Sequence, residues 1–142
     1  MKGIALLLNL LWFVLGGWVV AIEWFVGGLI LAVTIIGIPF VPGIWRIAVF
    51  SAFPFGQELV ETPKGGGGAA FTGILNILWL ILAGIWIAIS HFIAGLLLCL
   101  TLIGIPFGIA HFKLAGAALM PVGKEIVPKD ARNARELVQP VR

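Results

Sequence analysis

The stretch Ile36-Gly37-Ile38-Pro39-Phe40 returns later in the chain as Ile103-Gly104-Ile105-Pro106-Phe107. Both occurrences belong to a longer internal repeat, in which residues 7–60 align with residues 74–127 at a constant shift of 67 and without a gap. A repeat at a fixed period determines the architecture before any local motif is considered. The sequence therefore predicts two copies of one structural unit, which together make up almost the whole chain.

The composition is that of a membrane protein. Apolar residues make up 61% of the chain, charged residues make up 11%, and the mean hydropathy is +1.17, whereas soluble domains are about 45–50% apolar and about 25% charged. Residues 3–22 and 24–45 carry no charge, and no Asp, Glu, Lys or Arg lies between Lys64 and Lys113. Because about 20 uncharged residues cross a hydrocarbon core of roughly 30 Å as a helix, we predict several spanning helices with the lipid bilayer as their partner.

Each copy consists of two apolar segments separated by a polar break, followed by a short amphipathic segment with one basic residue. The runs are too long and too rich in Leu and Ala for strands of an outer-membrane barrel, in which polar and apolar residues alternate. We predict an all-α integral membrane protein of two tandem repeats, each a transmembrane helical hairpin plus a short cytoplasmic interfacial helix. The apolar segments are 4–22 and 25–38, then 71–89 and 92–105; the breaks are Glu23-Trp24 and Ser90-His91; the amphipathic segments are 43–53 and 110–120.

The same segments predict the domain boundaries. The chain between the copies contains four consecutive glycines, which are typical of a flexible connector, and the chain becomes polar after the second copy. The predicted domains are a first membrane repeat at 4–60, a Gly-rich linker at 61–70, a second membrane repeat at 71–127 and a polar cytoplasmic tail at 128–142.

The positions of the basic residues predict the topology. Every Lys and Arg lies outside the two breaks, so two-helix hairpins would place all of them on one side, which the positive-inside rule assigns to the cytoplasm together with both termini. The alternative is three spans per copy, in which the segments of Arg46 and Lys113 cross the membrane and the second copy is inverted, as in many transporters. A basic residue at the bilayer centre costs roughly 2.5–3.5 kcal/mol, which favours two spans. The second apolar segment of each copy is also short enough to be re-entrant.

Each copy opens with Asn-(Ile/Leu)-Leu-Trp and closes with Ile-Gly-Ile-Pro, a basic residue and Pro-x-Gly-x-Glu. Over residues 4–127 this pattern resembles the YccF family of bacterial inner-membrane proteins, which are similar to tandem copies of a short inner membrane component domain. The resemblance implies a multi-pass protein of the bacterial cytoplasmic membrane. It implies no established activity, no cofactor and no catalytic residue.

Asn9 and Asn76 are polar residues inside the first helix of each copy. Asn9 shares one helical face with Trp12, and Asn76 shares one with Trp79, because residues three apart lie on the same side of a helix. In lipid an amide side chain seeks a partner across a helix interface. The two asparagines therefore either hold helices together or lie along a polar pathway.

The repeated pentapeptide is the best candidate for a functional segment. Its prolines lack an N–H and leave a carbonyl unpaired one turn earlier, and paired Gly/Pro interruptions at corresponding positions are typical of transport sites. The alternative is a helix end that turns into an interfacial segment. The candidate residues are Thr34, Gly37 and Pro39 in the first copy and Thr101, Gly104 and Pro106 in the second.

Two further pairs are of interest. Arg46 and Lys113 either form a basic ring at a cytoplasmic mouth, which would favour anions, or extend to lipid headgroups.

His91 and His111 are expected on opposite sides of the membrane, and so we do not predict a metal site. The copies differ in polarity where Glu23 corresponds to Ser90 and Trp24 to His91, so the two halves need not do the same job.

No motif for catalysis is present: the chain has no His-x-x-Glu-His pattern, no Gly-x-Ser-x-Gly, no phosphate-binding loop and no pair of cysteines. We expect neither an enzyme nor a nucleic-acid-binding protein. Four short spans cannot easily enclose an aqueous path, so a pore would need a homo-oligomer. The first hypothesis is therefore a homo-oligomeric ion channel or transporter-like pore that passes a small ion and favours anions. The second is a structural or accessory membrane protein that recruits a partner or anionic lipid.

Overall fold

The computed structural model describes residues 2–61 and 68–128. Both copies have the same order of elements: a long helix with a π-helical turn, a tight turn, a return helix and a short strand. The first copy comprises α1 (Lys2–Trp12), a π-helical turn (Phe13–Gly17), α2 (Trp18–Val33), a 3-10 turn (Ile38–Phe40), α3 (Val41–Ala52) and β1 (Gln57–Glu61). The second comprises α4 (Gly68–Trp79), a π-helical turn (Leu80–Gly84), α5 (Ile85–Cys99), α6 (Ile105–Leu119) and β2 (Lys124–Pro128).

The long helix of each copy is apolar enough and long enough to cross a membrane. Within the described residues these helices are Gly3–Val33, with 31 residues, and Phe71–Cys99, with 29 residues. At a rise of about 1.5 Å per residue both exceed the roughly 30 Å of a hydrocarbon core. Gly16 has φ +134°, a conformation that only glycine adopts readily, so the first helix is kinked there. The second copy has Ala83 at this position and continues as helix.

The predicted breaks at Glu23-Trp24 and Ser90-His91 are wrong, because α2 and α5 pass through them without interruption. The chain reverses instead at the repeated Ile-Gly-Ile-Pro segment. The polar residues at the expected breaks contact one another between the copies, as described below, and so do not mark a turn. Polarity within an apolar run indicates a turn only when the polar groups have no partner in the membrane.

The separate interfacial helix predicted for segments 43–53 and 110–120 is also absent from the described chain. These segments belong to α3 and α6, which pack along α2 and α5 as the second arms of the hairpins. Ile44 and Ile47 of α3 lie in one buried cluster with Trp24 and Leu31 of α2. The apolar face that suggested an interfacial helix is buried against the first arm, because helices with an apolar stripe bury it against a neighbour.

Small residues allow the two arms to pack closely. Gly28 of α2 faces the ring of Trp45 on α3, and Gly95 of α5 faces the ring of Phe112 on α6. Gly108 of α6 lies directly against Gly95 and Cys99. Small residues at these positions therefore allow close contacts between the helices, as is common in membranes.

The two copies are joined by an antiparallel pair of strands, β1 and β2. The ladder pairs Leu59 with Ile126 at its centre, and these two residues occupy equivalent positions in the repeat. A contact between equivalent positions lies on a twofold axis, so the copies are related by a pseudo-twofold axis through the strand pair. Residues 62–67 of the predicted linker and residues 129–142 of the predicted tail lie outside the described residues.

Large apolar side chains cover the exterior of the hairpins. The turn residues Leu102 and Ile103 are 87% and 82% exposed, and Val33 is 83% exposed. Soluble proteins rarely leave apolar patches of this extent in water. This exterior is therefore suited to contact with lipid.

Candidate functional site

Asn9 and Asn76 clamp the chain just after each return helix. Asn9 Nδ2 donates to the carbonyl oxygen of Phe55 at 3.0 Å, and the Phe55 N–H donates to Asn9 Oδ1 at 2.8 Å. Asn76 makes the same two bonds with Val122, at 3.2 and 2.9 Å. Each amide thus pairs with the N–H and the C=O of a single residue, as a residue on a neighbouring antiparallel strand would. This geometry fits the expectation that the asparagines hold helices together, since both ends of each amide are already bonded.

The tryptophans one turn further on bond the return helix. Trp12 Nε1 donates to the carbonyl oxygen of Ser51 at 2.7 Å, and Trp79 Nε1 donates to that of Ala118 at 2.8 Å. Both indoles are almost fully buried. Carbonyls near a helix end have no partner within the helix, so these N–H groups satisfy them.

The threonines of the repeated turn bond the backbone as well. Thr34 Oγ1 donates to the Leu31 carbonyl at 2.6 Å and accepts from the Gly37 N–H at 3.2 Å. Thr101 makes the matching bonds with Leu98 and Gly104, at 3.1 and 3.0 Å. The hydroxyls therefore close the turn between the two arms of each hairpin.

The glycines and prolines of this segment fit the same turn. Gly37 is in close contact with Leu31, and a Cβ on Gly104 would collide with the carbonyl oxygen of Leu98. Pro106 occupies the first turn of α6, and Pro39 occupies the first turn of the 3-10 segment that leads into α3, positions at which a missing N–H costs nothing. The segment thus has the geometry of a helix end and reversal.

A polar cluster that the sequence did not predict lies where the copies meet. Trp24 Nε1 donates to His91 Nε2 at 3.1 Å, and both side chains are fully buried. Trp24 and His91 are equivalent positions, so this contact lies on the pseudo-twofold axis. The neighbouring equivalents, Glu23 and Ser90, also share a hydrogen bond. The sequence signal was the divergence of the copies at these two positions, which could not by itself show contact.

The expectation that His91 and His111 lie on opposite sides of the membrane is wrong. His91 Nδ1 and His111 Nδ1 are 2.9 Å apart, because α6 packs back along α5 and brings its residue 111 beside residue 91. The ring of Trp12 covers His111, with the ring centroids 4.3 Å apart. No group of three or more His, Cys, Asp or Glu capable of holding a metal ion is found within residues 2–61 and 68–128.

A cleft of about 480 Å³ opens between α6, the end of α3 and the strand pair. Lys113 of α6 and Lys124 of β2 line it from two sides, together with Gln57 and Glu58 of β1. Its remaining wall is mostly apolar and is contributed by Phe50, Pro54, Phe55, Leu59, Pro106, Ile109, Ala110, Leu114, Gly116 and Ala117. The two lysines and one carboxylate leave an excess of one positive charge beside an apolar surface.

Arg46 and Lys113 are equivalent in the repeat but have different surroundings. Both are exposed on the return helices, yet only Lys113 lines the cleft. The structure therefore does not bring the two predicted basic residues together within one chain.

The inner membrane component domain model of YccF matches residues 7–57 and again residues 74–124. The chain belongs to the YccF family. It is 40% identical to the inner membrane protein YccF of Escherichia coli (strain K12) and also to that of Shigella flexneri, in each case over 136 residues, which cover 91% of this chain and 92% of the relative. No solved structure matches the chain. Each matched YccF domain begins in the long helix and contains its whole hairpin, so this chain is an integral inner-membrane protein made of two such domains.

Proposed function

We propose that the protein is a non-enzymatic accessory protein of the inner membrane that binds anionic lipid in the cleft beside β1 and β2. The proposal rests on one observation: Lys113 and Lys124 both line a cleft whose remaining wall is mostly apolar. Ammonium groups bind phosphate as point charges, and an apolar wall accepts an acyl chain. Most ligand sites likewise combine an apolar lining with a few polar groups.

The position of the cleft supports this assignment. The cleft runs along α6 to the strand pair, where the chain leaves the apolar hairpins, and we propose that its strand end lies at the boundary between hydrocarbon and water. We further propose that the long helix of each copy crosses the membrane, that the shorter return helices α3 and α6 bring the chain back to the starting side, and that both termini lie in the cytoplasm. The strand pair supports this topology, because β1 and β2 end equivalent copies and can pair only if both copies end on the same side of the membrane. An inverted second copy would separate them.

Lipid retention by the purified protein tests the proposal. The protein, reconstituted with phosphatidylglycerol and with zwitterionic phosphatidylethanolamine, is examined by native mass spectrometry for bound lipid. Replacing one lysine near an anionic headgroup costs about 1 kcal/mol, or roughly fivefold in affinity. We expect Lys113→Gln and Lys124→Gln each to weaken phosphatidylglycerol binding by about this factor, with no change for phosphatidylethanolamine.

Arg46→Gln is the matched control, because Arg46 is the equivalent of Lys113 and does not line the cleft. It should retain phosphatidylglycerol as the parent protein does. Equal weakening by all three substitutions would show a diffuse charge effect and contradict a cleft site.

A second candidate function is ion passage by a homo-oligomer. The exposure of Arg46 and Lys113 on the outer faces of the return helices favours it, since another copy could contact both. Ion flux in liposomes that is abolished by Arg46→Ala or Lys113→Ala would support the pore. The absence of flux under any gradient or voltage would support the accessory role.

A further inference from the structure

Three differences between the copies lie at the centre of the molecule. His91, His111 and Ser90 of the second copy correspond to Trp24, Ile44 and Glu23 of the first. Perfect copies would place like residues against each other on the pseudo-twofold axis, whereas two of these differences create complementary pairs, Trp24 with His91 and Glu23 with Ser90. The divergence therefore builds a polar cluster inside an apolar protein, and ionisable groups inside a membrane are costly and usually functional.

The hydrogen bonds determine where the protons of the histidine pair lie. Trp24 Nε1 has only a hydrogen to offer, so His91 Nε2 must accept and is unprotonated. The proton of a neutral His91 is then on Nδ1 and is donated to His111 Nδ1. His111 must accept at that atom and carries its own proton on Nε2. A further proton on either ring would break the bond to Trp24 or the bond between the rings.

Glu23 has an incomplete set of partners. Ser90 bonds one side of the carboxyl group, while Oε2 is buried and has no hydrogen-bond partner among the described residues. An ionised carboxylate with one oxygen buried and unpartnered lacks a compensating charge, and an apolar setting of this kind favours the neutral, protonated carboxyl group. Glu23 is the only carboxylic residue in α2 or α5.

The remaining charged groups of the surrounding helices lie elsewhere. Among the described residues, the ionisable side chains are His91 and the thiol of Cys99 in α5, His111 and Lys113 in α6, and Arg46 in α3. Lys113 is exposed and lines the cleft, and Arg46 is exposed. Trp79 of α4 stacks on Trp24 at 5.6 Å between ring centroids and adds no charge.

We infer that this cluster is a proton-binding site inside the membrane, in which Glu23 holds a proton as a neutral carboxylic acid beside the neutral His91–His111 pair. Uptake of another proton by the pair breaks either the Trp24–His91 bond, which joins the two copies, or the bond between the two rings. The site is separate from the lipid cleft, and its existence does not depend on lipid binding there.

Infrared spectroscopy of the protein in lipid nanodiscs tests the site. Protein with carbon-13-labelled glutamate should show the carbonyl band of a protonated carboxyl group at neutral pH, and the band should shift in deuterated water. Glu23→Gln should abolish it, whereas Glu58→Gln, in β1 outside the spanning helices, should retain it. Absence of the band from the parent protein, or its persistence in Glu23→Gln, would overturn the inference.

Exchanging Glu23 with its equivalent, Ser90, tests whether the protonated carboxyl group requires a position at the axis rather than residue 23 in particular. Glu23→Ser alone should lose the band, and the double variant Glu23→Ser/Ser90→Glu should regain it, since both positions lie at the same axis. A folded double variant without the band would contradict the assignment to the axis.

Nitrogen-15 spectra of the histidines test the proton positions. They should show Nδ1 protonated on His91 in the parent protein. Trp24→Phe should remove this preference, while Trp18→Phe, at an exposed ring, should leave it. Spectra with Nε2 of His91 protonated in the parent protein would also overturn the inference.

Discussion

At the scale of single residues, polar side chains inside the hairpins complete backbone hydrogen bonding. Asn9 and Thr34, like their equivalents in the second copy, use both donor and acceptor on peptide groups. A hydrocarbon environment offers no water for these groups, so an internal partner is required. The sequence singled these residues out, but spacing alone could not distinguish a residue that bonds backbone from one that lines a pathway.

Replacing the asparagines should destabilise the protein. Asn9→Ala and Asn76→Ala each remove two hydrogen bonds and leave a peptide group unpaired, which costs about 1–3 kcal/mol. We expect a lower melting temperature in detergent for each variant, measured by circular dichroism. An unchanged melting temperature together with altered ion flux in liposomes would instead support a pathway role.

At the scale of elements, the repeated pentapeptide is a turn between helices. Its glycines allow the chain to fold back on the end of the first arm, and its prolines begin the second arm. The sequence predicted a special segment here, and a helix end was one of the two interpretations that it allowed. The predicted turns at Glu23-Trp24 and Ser90-His91 failed because contact between the copies, which no local pattern reveals, satisfies those polar groups.

Two glycines in and next to α6 should respond oppositely to alanine. Gly104→Ala forces a Cβ into the Leu98 carbonyl and the Thr101 hydroxyl, and overpacking of this kind costs about 1–3 kcal/mol. A Cβ added at Gly116 would meet no neighbouring side chain within 4 Å among the described residues, so Gly116→Ala should stabilise the helix by about 0.5–1 kcal/mol. Thermal unfolding of both variants in detergent measures the difference. Equal melting temperatures would contradict the close approach at Gly104.

At the scale of the whole molecule, the chain is an intramolecular pseudo-dimer. The pairs Leu59–Ile126 and Trp24–His91 join equivalent positions at two separate places. Because both contacts join equivalent positions, both lie on the pseudo-twofold axis, and the two copies meet in matching orientation. A shift of 67 residues shows that the copies exist, but it cannot show which faces meet, because contacts between distant segments depend on packing.

A topology reporter tests the matching orientation. We expect a fusion after Lys64, which follows β1, to report the cytoplasmic side, because the basic residues and the strand pair favour that side. Reporter enzymes that are active only in the cytoplasm or only in the periplasm give the result. Periplasmic activity at this position would show that the return helix does not bring the chain back to the cytoplasmic side and would contradict the proposed topology.

The sequence by itself determined the membrane class and the two repeats. These features follow from composition, periodicity and residue chemistry, which act locally and are visible in a linear chain. Only the tertiary structure decided where the chain reverses, that α3 and α6 pack back along the first arms, and that His91 meets both Trp24 and His111. Those outcomes depend on which buried polar groups find hydrogen-bond partners in distant parts of the chain. An unpaired polar group costs more free energy in an apolar medium than in water, so the packing that pairs these groups is strongly favoured.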